Sequence, residues 1–151
     1  MKPFLRRILL AEDSARDVEL TLEALAEYNL ANEVIVVEDG VEVLDYLYCR
    51  GKYEGRIDRP PAVVLLDIKM PRMNGIEVLR AIRASEEFRV LPVVMLTSSR
   101  EERDIIESYD LGINAYVVKP VDFQDFIEAV RTLGLFWAVM NEPRPQGGAH
   151  G

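Results

Sequence analysis

The sequence predicts an α/β fold, a doubly wound (βα)5 parallel sheet with helices on both faces, on three observations. Short apolar runs alternate five times with stretches of helical spacing, the pattern of parallel strands joined by right-handed helical crossovers. The runs are continuous, as strands buried on both faces are. Their C-terminal ends carry the chemistry: Ile8-Leu9-Leu10-Ala11 runs into Glu12-Asp13, Val63-Val64-Leu65-Leu66 into Asp67, Val93-Val94-Met95-Leu96 into Thr97-Ser98-Ser99, and Tyr116-Val117-Val118 into Lys119-Pro120. In an open parallel sheet the carboxyl ends of the strands form the ligand crevice. Three carboxylates, a hydroxyl and an ammonium are therefore expected on one rim.

The first strand spans Ile8–Glu12, and a helix follows over Ala15–Tyr28 with Val18, Leu22 and Leu25 on one face. Ser14 and Asp17 resemble a capping pair at its start. Glu33–Val37 reads as a second strand and Gly40–Cys49 as a second helix, with Val43, Leu44 and Leu47 inward. Ala62–Asp67 is the third strand. Ile76–Ala84 is the third helix, its face marked by Ile76, Leu79 and Ile82. Val93–Thr97 is the fourth strand, after which Ser99 with Glu102 opens a helix carrying Ile105, Ile106 and Tyr109 and stopping at Gly112. Ala115–Val118 is the fifth strand, and Asp122 caps a last helix beginning at Phe123. Gly51–Pro61 is a long polar loop. The segment 143–151, rich in Pro and Gly, is expected to be disordered.

A chain of 151 residues with a hydrophobic fraction of 49% favours one domain with an ordinary core. No apolar stretch approaches the ~20 residues needed to span a bilayer, and no h-region fits a secretory signal, so no membrane association and a cytoplasmic location are expected. Cys49 is the only cysteine, which excludes an intramolecular disulfide and fits a reducing compartment. A formal net charge of −8 disfavours nucleic-acid binding, which needs a basic footprint. The basic residues between Arg50 and Arg59 are interrupted by Glu54 and Asp58 and read as a solvated loop.

Glu12, Asp13 and Asp67 on one rim would repel one another. Two like charges at about 4 Å repel by about 4 kcal/mol at an effective dielectric of about 20, so such a cluster calls for a cation. Oxygen-only ligands suit Mg²⁺, and the absence of His and Cys from the rim argues against Zn²⁺. Mg²⁺ held by carboxylates usually accompanies phosphoryl chemistry, and a carboxylate can itself be the nucleophile, giving an aspartyl phosphate. Asp67 is the best placed nucleophile, ending the central strand ahead of the tight turn Met70-Pro71-Arg72-Met73-Asn74-Gly75. Most of the catalysis in phosphoryl transfer is stabilisation of charge on the equatorial oxygens. Lys119 can supply a fixed cation for that purpose and Thr97 a hydroxyl donor.

On Glu12-Asp13, Asp67 with Met70-Pro71 and Asn74-Gly75, Thr97-Ser98, and Lys119-Pro120, the chain strongly resembles the receiver domain of two-component response regulators over roughly Arg7 to Leu133. The resemblance implies a flavodoxin-like sheet in the order 2-1-3-4-5, with residues 1–142 forming the domain and its extended last helix. It implies that Asp67 accepts a phosphoryl group from a histidine kinase, and that the protein signals without catalysing turnover of a separate substrate. Asp13 and Asp67 would ligate Mg²⁺ (or Mn²⁺ in its place) directly, Glu12 mainly through water, and the backbone carbonyl of Lys69 would complete the protein ligands. Lys119 would contact the phosphoryl oxygens, and its bond to Pro120 would be cis. Thr97 would move toward the phosphoryl group while Tyr116 swings inward. Two features depart from many relatives: Glu12 stands where Asp is common, and Lys69 is bulky at a position able to shield the site. The loop around Tyr53–Pro61 and the segment Leu133-Gly134-Leu135-Phe136-Trp137, with Asn141-Glu142-Pro143, resemble the single-domain response regulators that serve bacterial phytochromes, which implies such a kinase as partner.

Only about 30 residues follow Lys119-Pro120 in this sequence, so output is expected through protein contact or onward phosphoryl passage, as in a phosphorelay intermediate or a kinase phosphate sink. Phe123, Phe126, Ile127, Val130, Leu133 and Trp137 form one stripe of the last helix, and Leu135, Phe136 and Val139 fall outside it. An apolar stripe wider than one face needs a second surface, so a homodimer through the last helix, at Leu135, Phe136 and Val139, is expected, with the fourth helix or fifth strand as candidate further contacts. Two rivals share the topology. A Mg²⁺-dependent phosphohydrolase usually carries a second acid just after the nucleophile, where this chain has Lys69. A nucleotide or flavin module needs a Gly-rich first turn, and Glu12-Asp13-Ser14-Ala15 offers none.

Overall fold

The computed structural model describes residues 7–27, 33–56, 60–113 and 115–134. Five strands, β1 (Ile8–Ala11), β2 (Val34–Val37), β3 (Val63–Asp67), β4 (Val93–Thr97) and β5 (Tyr116–Val118), form one parallel sheet in the order β2-β1-β3-β4-β5. Five helices alternate with them: α1 (Ala15–Ala26), α2 (Gly40–Tyr48), α3 (Gly75–Ala84), α4 (Arg100–Ser108) and α5 (Phe123–Thr132). This is the predicted alternation and the implied order.

Side chains alternate across a strand, and here the alternation sorts the two cores. Leu9, Ala11, Val64, Leu66, Val93 and Met95 face α2 and α3, where Val43, Leu47, Val78, Leu79 and Ile82 cover them, together with Ile106 of α4. Ile8, Leu10, Val63, Leu65, Val94, Leu96 and Val117 face the other way, against Leu25 of α1 and Phe123, Phe126, Ile127 and Val130 of α5. Strands β1, β3 and β4 are buried throughout. The edge strands are not: Val34, Ile35 and Val36 are half-buried and Val118 is exposed, because each has a neighbour on one side only. On α4, Ile106 alone is buried while Ile105 and Tyr109 face solvent.

Each helix follows the C-terminal end of a strand, and its N-cap oxygen accepts from the backbone N–H three residues on. Ser14, Asp39, Asn74, Ser99 and Asp122 take the N–H groups of Asp17, Glu42, Glu77, Glu102 and Asp125, satisfying donors a helix otherwise leaves open. Asn74 and Glu77 form a reciprocal capping box, which moves the start of α3 to Gly75, one residue ahead of the sequence expectation. The polar loop after α2 opens with a 3₁₀ turn, Gly51–Tyr53. It is pinned to α2 through Glu42, whose carboxylate accepts from the Tyr53 hydroxyl at 2.7 Å and pairs with Lys52 at 2.6 Å. Leu135, Phe136, Trp137 and Val139, like the segment 143–151, lie outside the described residues.

Candidate functional site

Strand register brings the polar ends together. Ala11 pairs with Leu66, Asp67 with Leu96, and Thr97 with Val118. Glu12, Asp13, Asp67, Thr97 and Lys119 therefore stand on one rim. Oxygens of Glu12, Asp13 and Asp67 all lie within 4.8 Å of one another. Glu12 and Asp67 are buried and Asp13 is exposed, so the cluster opens to solvent on the Asp13 side.

The Lys119 ammonium sits inside this cluster. Its Nζ donates to Glu12 Oε1 at 3.2 Å and Asp17 Oδ2 at 3.1 Å, and lies 3.0 Å from Asp67 Oδ1. The Lys119 N–H donates to the Thr97 carbonyl at 2.7 Å, and the Lys119-Pro120 peptide bond is cis. The other Glu12 oxygen, Oε2, accepts from the Ser14 N–H at 3.2 Å.

These contacts do not fully compensate burial. Desolvation, then the neighbouring Asp67 charge, pushes the Glu12 carboxyl up from its ordinary 4.5 to about 7. Burial also raises Asp67, with Lys119 working against it. For Lys119, burial favours the neutral amine, but Asp67 and Glu12 outweigh it and hold the ammonium charged well above its ordinary range. With one cation among several acids the pocket is short of positive charge. An all-oxygen set of this kind fits a hard divalent ion such as Mg²⁺ or Mn²⁺.

Two further features prepare the rim. The Thr97 side chain is fully buried and its Oγ1 has no hydrogen-bond partner among the described residues, an arrangement costing about 1–3 kcal/mol. A Cβ at position 75 would collide with the Asp67 carbonyl and the Ile68 backbone, and the Gly75 N–H donates to the Ile68 carbonyl at 2.8 Å. Only glycine lets α3 start this close beneath the acid.

Sequence reasoning located Glu12, Asp13, Asp67, Thr97 and Lys119, and the structure brings them together. The Lys69 side chain is exposed just beyond Asp67. Tyr116 lies apart, half-buried, its hydroxyl donating to the Ile113 carbonyl at 3.3 Å and its ring under the Arg103 guanidinium at 4.6 Å. Asp17 was missed as a site residue. The capping contact uses its backbone N–H, whereas its carboxylate reaches Lys119. Nothing local in the sequence points to it, because its partner Lys119 lies 102 positions away.

A family model for the response regulator receiver domain matches residues 8–131. The chain belongs to that family. Among curated relatives, the receiver is 36% identical to response regulator Rcp1 of Synechocystis sp. over 130 residues, covering 86% of this chain and 87% of Rcp1. Among solved structures, it matches the bacteriophytochrome response regulator AtBRR at 57% identity with a TM-score of 0.88, covering 93% of this chain and all of that one. The Mn²⁺-bound form of Rcp1 matches at 34% identity with a TM-score of 0.69, over 93% and 99% of the two chains. The chain is thus a receiver-type response regulator of two-component signalling, related to phytochrome-associated regulators, and a receiver domain implies a histidine kinase as partner. Among the described residues, no helix is long and apolar enough to cross a membrane.

Proposed function

We propose that Asp67 accepts a phosphoryl group from a histidine kinase serving a bacterial phytochrome, in a Mg²⁺-dependent reaction, and that the resulting change in charge is read by protein contact. The observation that carries this reading is the Asp67 carboxylate itself. It is buried among two other acids, 3.0 Å from a lysine ammonium, on a rim that also holds an unpartnered threonine hydroxyl.

Asp13 and Asp67, with Glu12 through water and the Lys69 carbonyl, would hold the divalent ion, which when bound offsets the negative charge of the incoming phosphoryl group. One Asp67 oxygen attacks phosphorus as the P–N bond to the kinase histidine breaks. The departing ring nitrogen takes the electron pair. Lys119 binds a phosphoryl oxygen and restrains its charge. The Thr97 hydroxyl, unsatisfied at rest, donates to another. Phosphorylation adds about −1.5 to −2 charge at neutral pH. The pull on Thr97 at the end of β4 is transmitted to Tyr116 on the neighbouring β5, which gives up its half-buried resting place on the Ile113 carbonyl and swings inward.

Support for the phytochrome partner comes from the 57% identity to AtBRR. The test is transfer of labelled phosphate from an autophosphorylated bacteriophytochrome kinase. Label should move to the wild-type chain within the first minutes and stay on the kinase with Asp67→Asn. Equal transfer rates from unrelated histidine kinases would overturn the partner assignment.

A further inference from the structure

We infer that Asp17 is a positioning residue for phosphoryl transfer, anchoring the Lys119 ammonium so that it keeps its place when the Asp67 carboxylate is consumed. The inference rests on the reading of Asp67 as phosphoryl acceptor.

An ammonium has three N–H donors, and at Lys119 three carboxylates surround them: Asp67 at 3.0 Å, Asp17 at 3.1 Å and Glu12 at 3.2 Å. Two of these are committed to the reaction. When Asp67 attacks acetyl phosphate, a new O–P bond forms, the O–P bond to acetate breaks, and acetate leaves with the electron pair. The carboxylate charge of Asp67 disappears into an acyl phosphate, and the negative charge moves outward to the terminal phosphoryl oxygens. Glu12 belongs to the metal cluster and shares its other oxygen with the Ser14 N–H. Asp17 is the remaining contact, outside the acid cluster and untouched by the chemistry.

Its own placement suits an anchor. Asp17 lies in the first turn of α1, where its N–H donates to Ser14 Oγ at 3.2 Å, so its backbone is fixed by the cap. Lysine, by contrast, is a point charge on a flexible four-carbon stem. With its Asp17 contact kept, Lys119 can exchange Asp67 for a phosphoryl oxygen without swinging out. Deprived of that contact, it loses the one charged partner that belongs neither to the phosphorylated group nor to the acid cluster, at the step where it must hold still. The two residues are 102 positions apart, so the contact also ties α1 to the β5–α5 turn across the site.

The test compares wild type, Asp17→Asn and Asp17→Glu with acetyl phosphate over a range of Mg²⁺ concentrations. It reads the Asp67 phosphorylation rate at saturating Mg²⁺ and, by calorimetry, the Mg²⁺ dissociation constant. Thermal unfolding reports the fold of each variant separately. Asp17→Asn keeps an acceptor oxygen but loses the charge. It should lower the saturated rate roughly fivefold, equivalent to about 1 kcal/mol, and shift the Mg²⁺ constant less than about twofold; Asp17→Glu should recover most of the loss. An unchanged saturated rate in Asp17→Asn would overturn the inference. So would a loss confined to Mg²⁺ affinity, which would mark Asp17 as part of metal capture, or an equal loss of rate in both variants. A wild-type chain that gains no phosphoryl group would sink the reading of Asp67, and the inference with it.

Discussion

Replacing Thr97 with Val separates the resting state from the phosphorylated one. The Thr97 hydroxyl is fully buried without a partner among the described residues, so at rest it stands as an unsatisfied polar group worth about 1–3 kcal/mol of instability. Valine keeps the β-branched shape and removes the oxygen. The unphosphorylated variant should therefore be more stable by roughly 1–2 kcal/mol, which for a chain of this size raises the melting temperature by about 3–6 °C. In the phosphorylated state the sign reverses, because the variant cannot donate to a phosphoryl oxygen and forfeits a charged hydrogen bond of about 1.5–3 kcal/mol. The assay is thermal unfolding in Mg²⁺ with and without acetyl phosphate. The stabilisation gained on phosphorylation should shrink sharply in Thr97→Val although the baseline rises. A variant less stable than wild type by 1 kcal/mol or more, without acetyl phosphate, would show that the hydroxyl already has a resting partner and refute the reasoning.

Two other predictions follow from the same geometry, and a third from the sequence. In the absence of metal, the Glu12 carboxyl sits at about 7 against an ordinary 4.5, and Asp67 is raised as well. The stability that Glu12 lends is full below about 4.5 and is lost as pH rises through about 7, amounting to roughly 3 kcal/mol. Mg²⁺ binds the ionised acids, so its stabilising increment should grow across that window; an increment flat with pH would contradict the account. Lys119→Met should cost about 2 kcal/mol or more at neutral pH, because it strands carboxylates that Lys119 now partners, and urea titrations should show the loss shrinking in acid as those groups protonate. The dimer expected from the sequence makes a prediction of its own: wild type should run as a dimer by light scattering and Phe136→Glu, in a segment outside the described residues, as a monomer; a monomeric wild type at high micromolar concentration would overturn that expectation.

Much of this fold is legible in the primary structure because its strands are continuous apolar runs and its helix starts carry their own caps, as Ser14, Ser99 and Asp122 show. The edges are less so. Val118 belongs to an apolar run yet is exposed, because exposure at an edge depends on which strand lacks a neighbour. The rim acids, Thr97 and Lys119 were located from their common position at strand ends. Two properties had no local signal. The Asp17–Lys119 contact joins residues 102 positions apart, and the unpartnered state of the Thr97 hydroxyl is a fact about everything packed around it. The isomer of the Lys119-Pro120 bond was likewise beyond propensity, since cis is the minority state of X-Pro bonds; family resemblance implied it, and the structure has it.

Intact-protein mass spectrometry after incubation with Mg²⁺ and acetyl phosphate, comparing the wild-type chain with Asp67→Asn, tests the central claim most directly. The wild type should gain the mass of one phosphoryl group, mapped to Asp67, and the variant should gain none. A wild-type chain that stays unmodified, or a variant that gains the same mass, would contradict it.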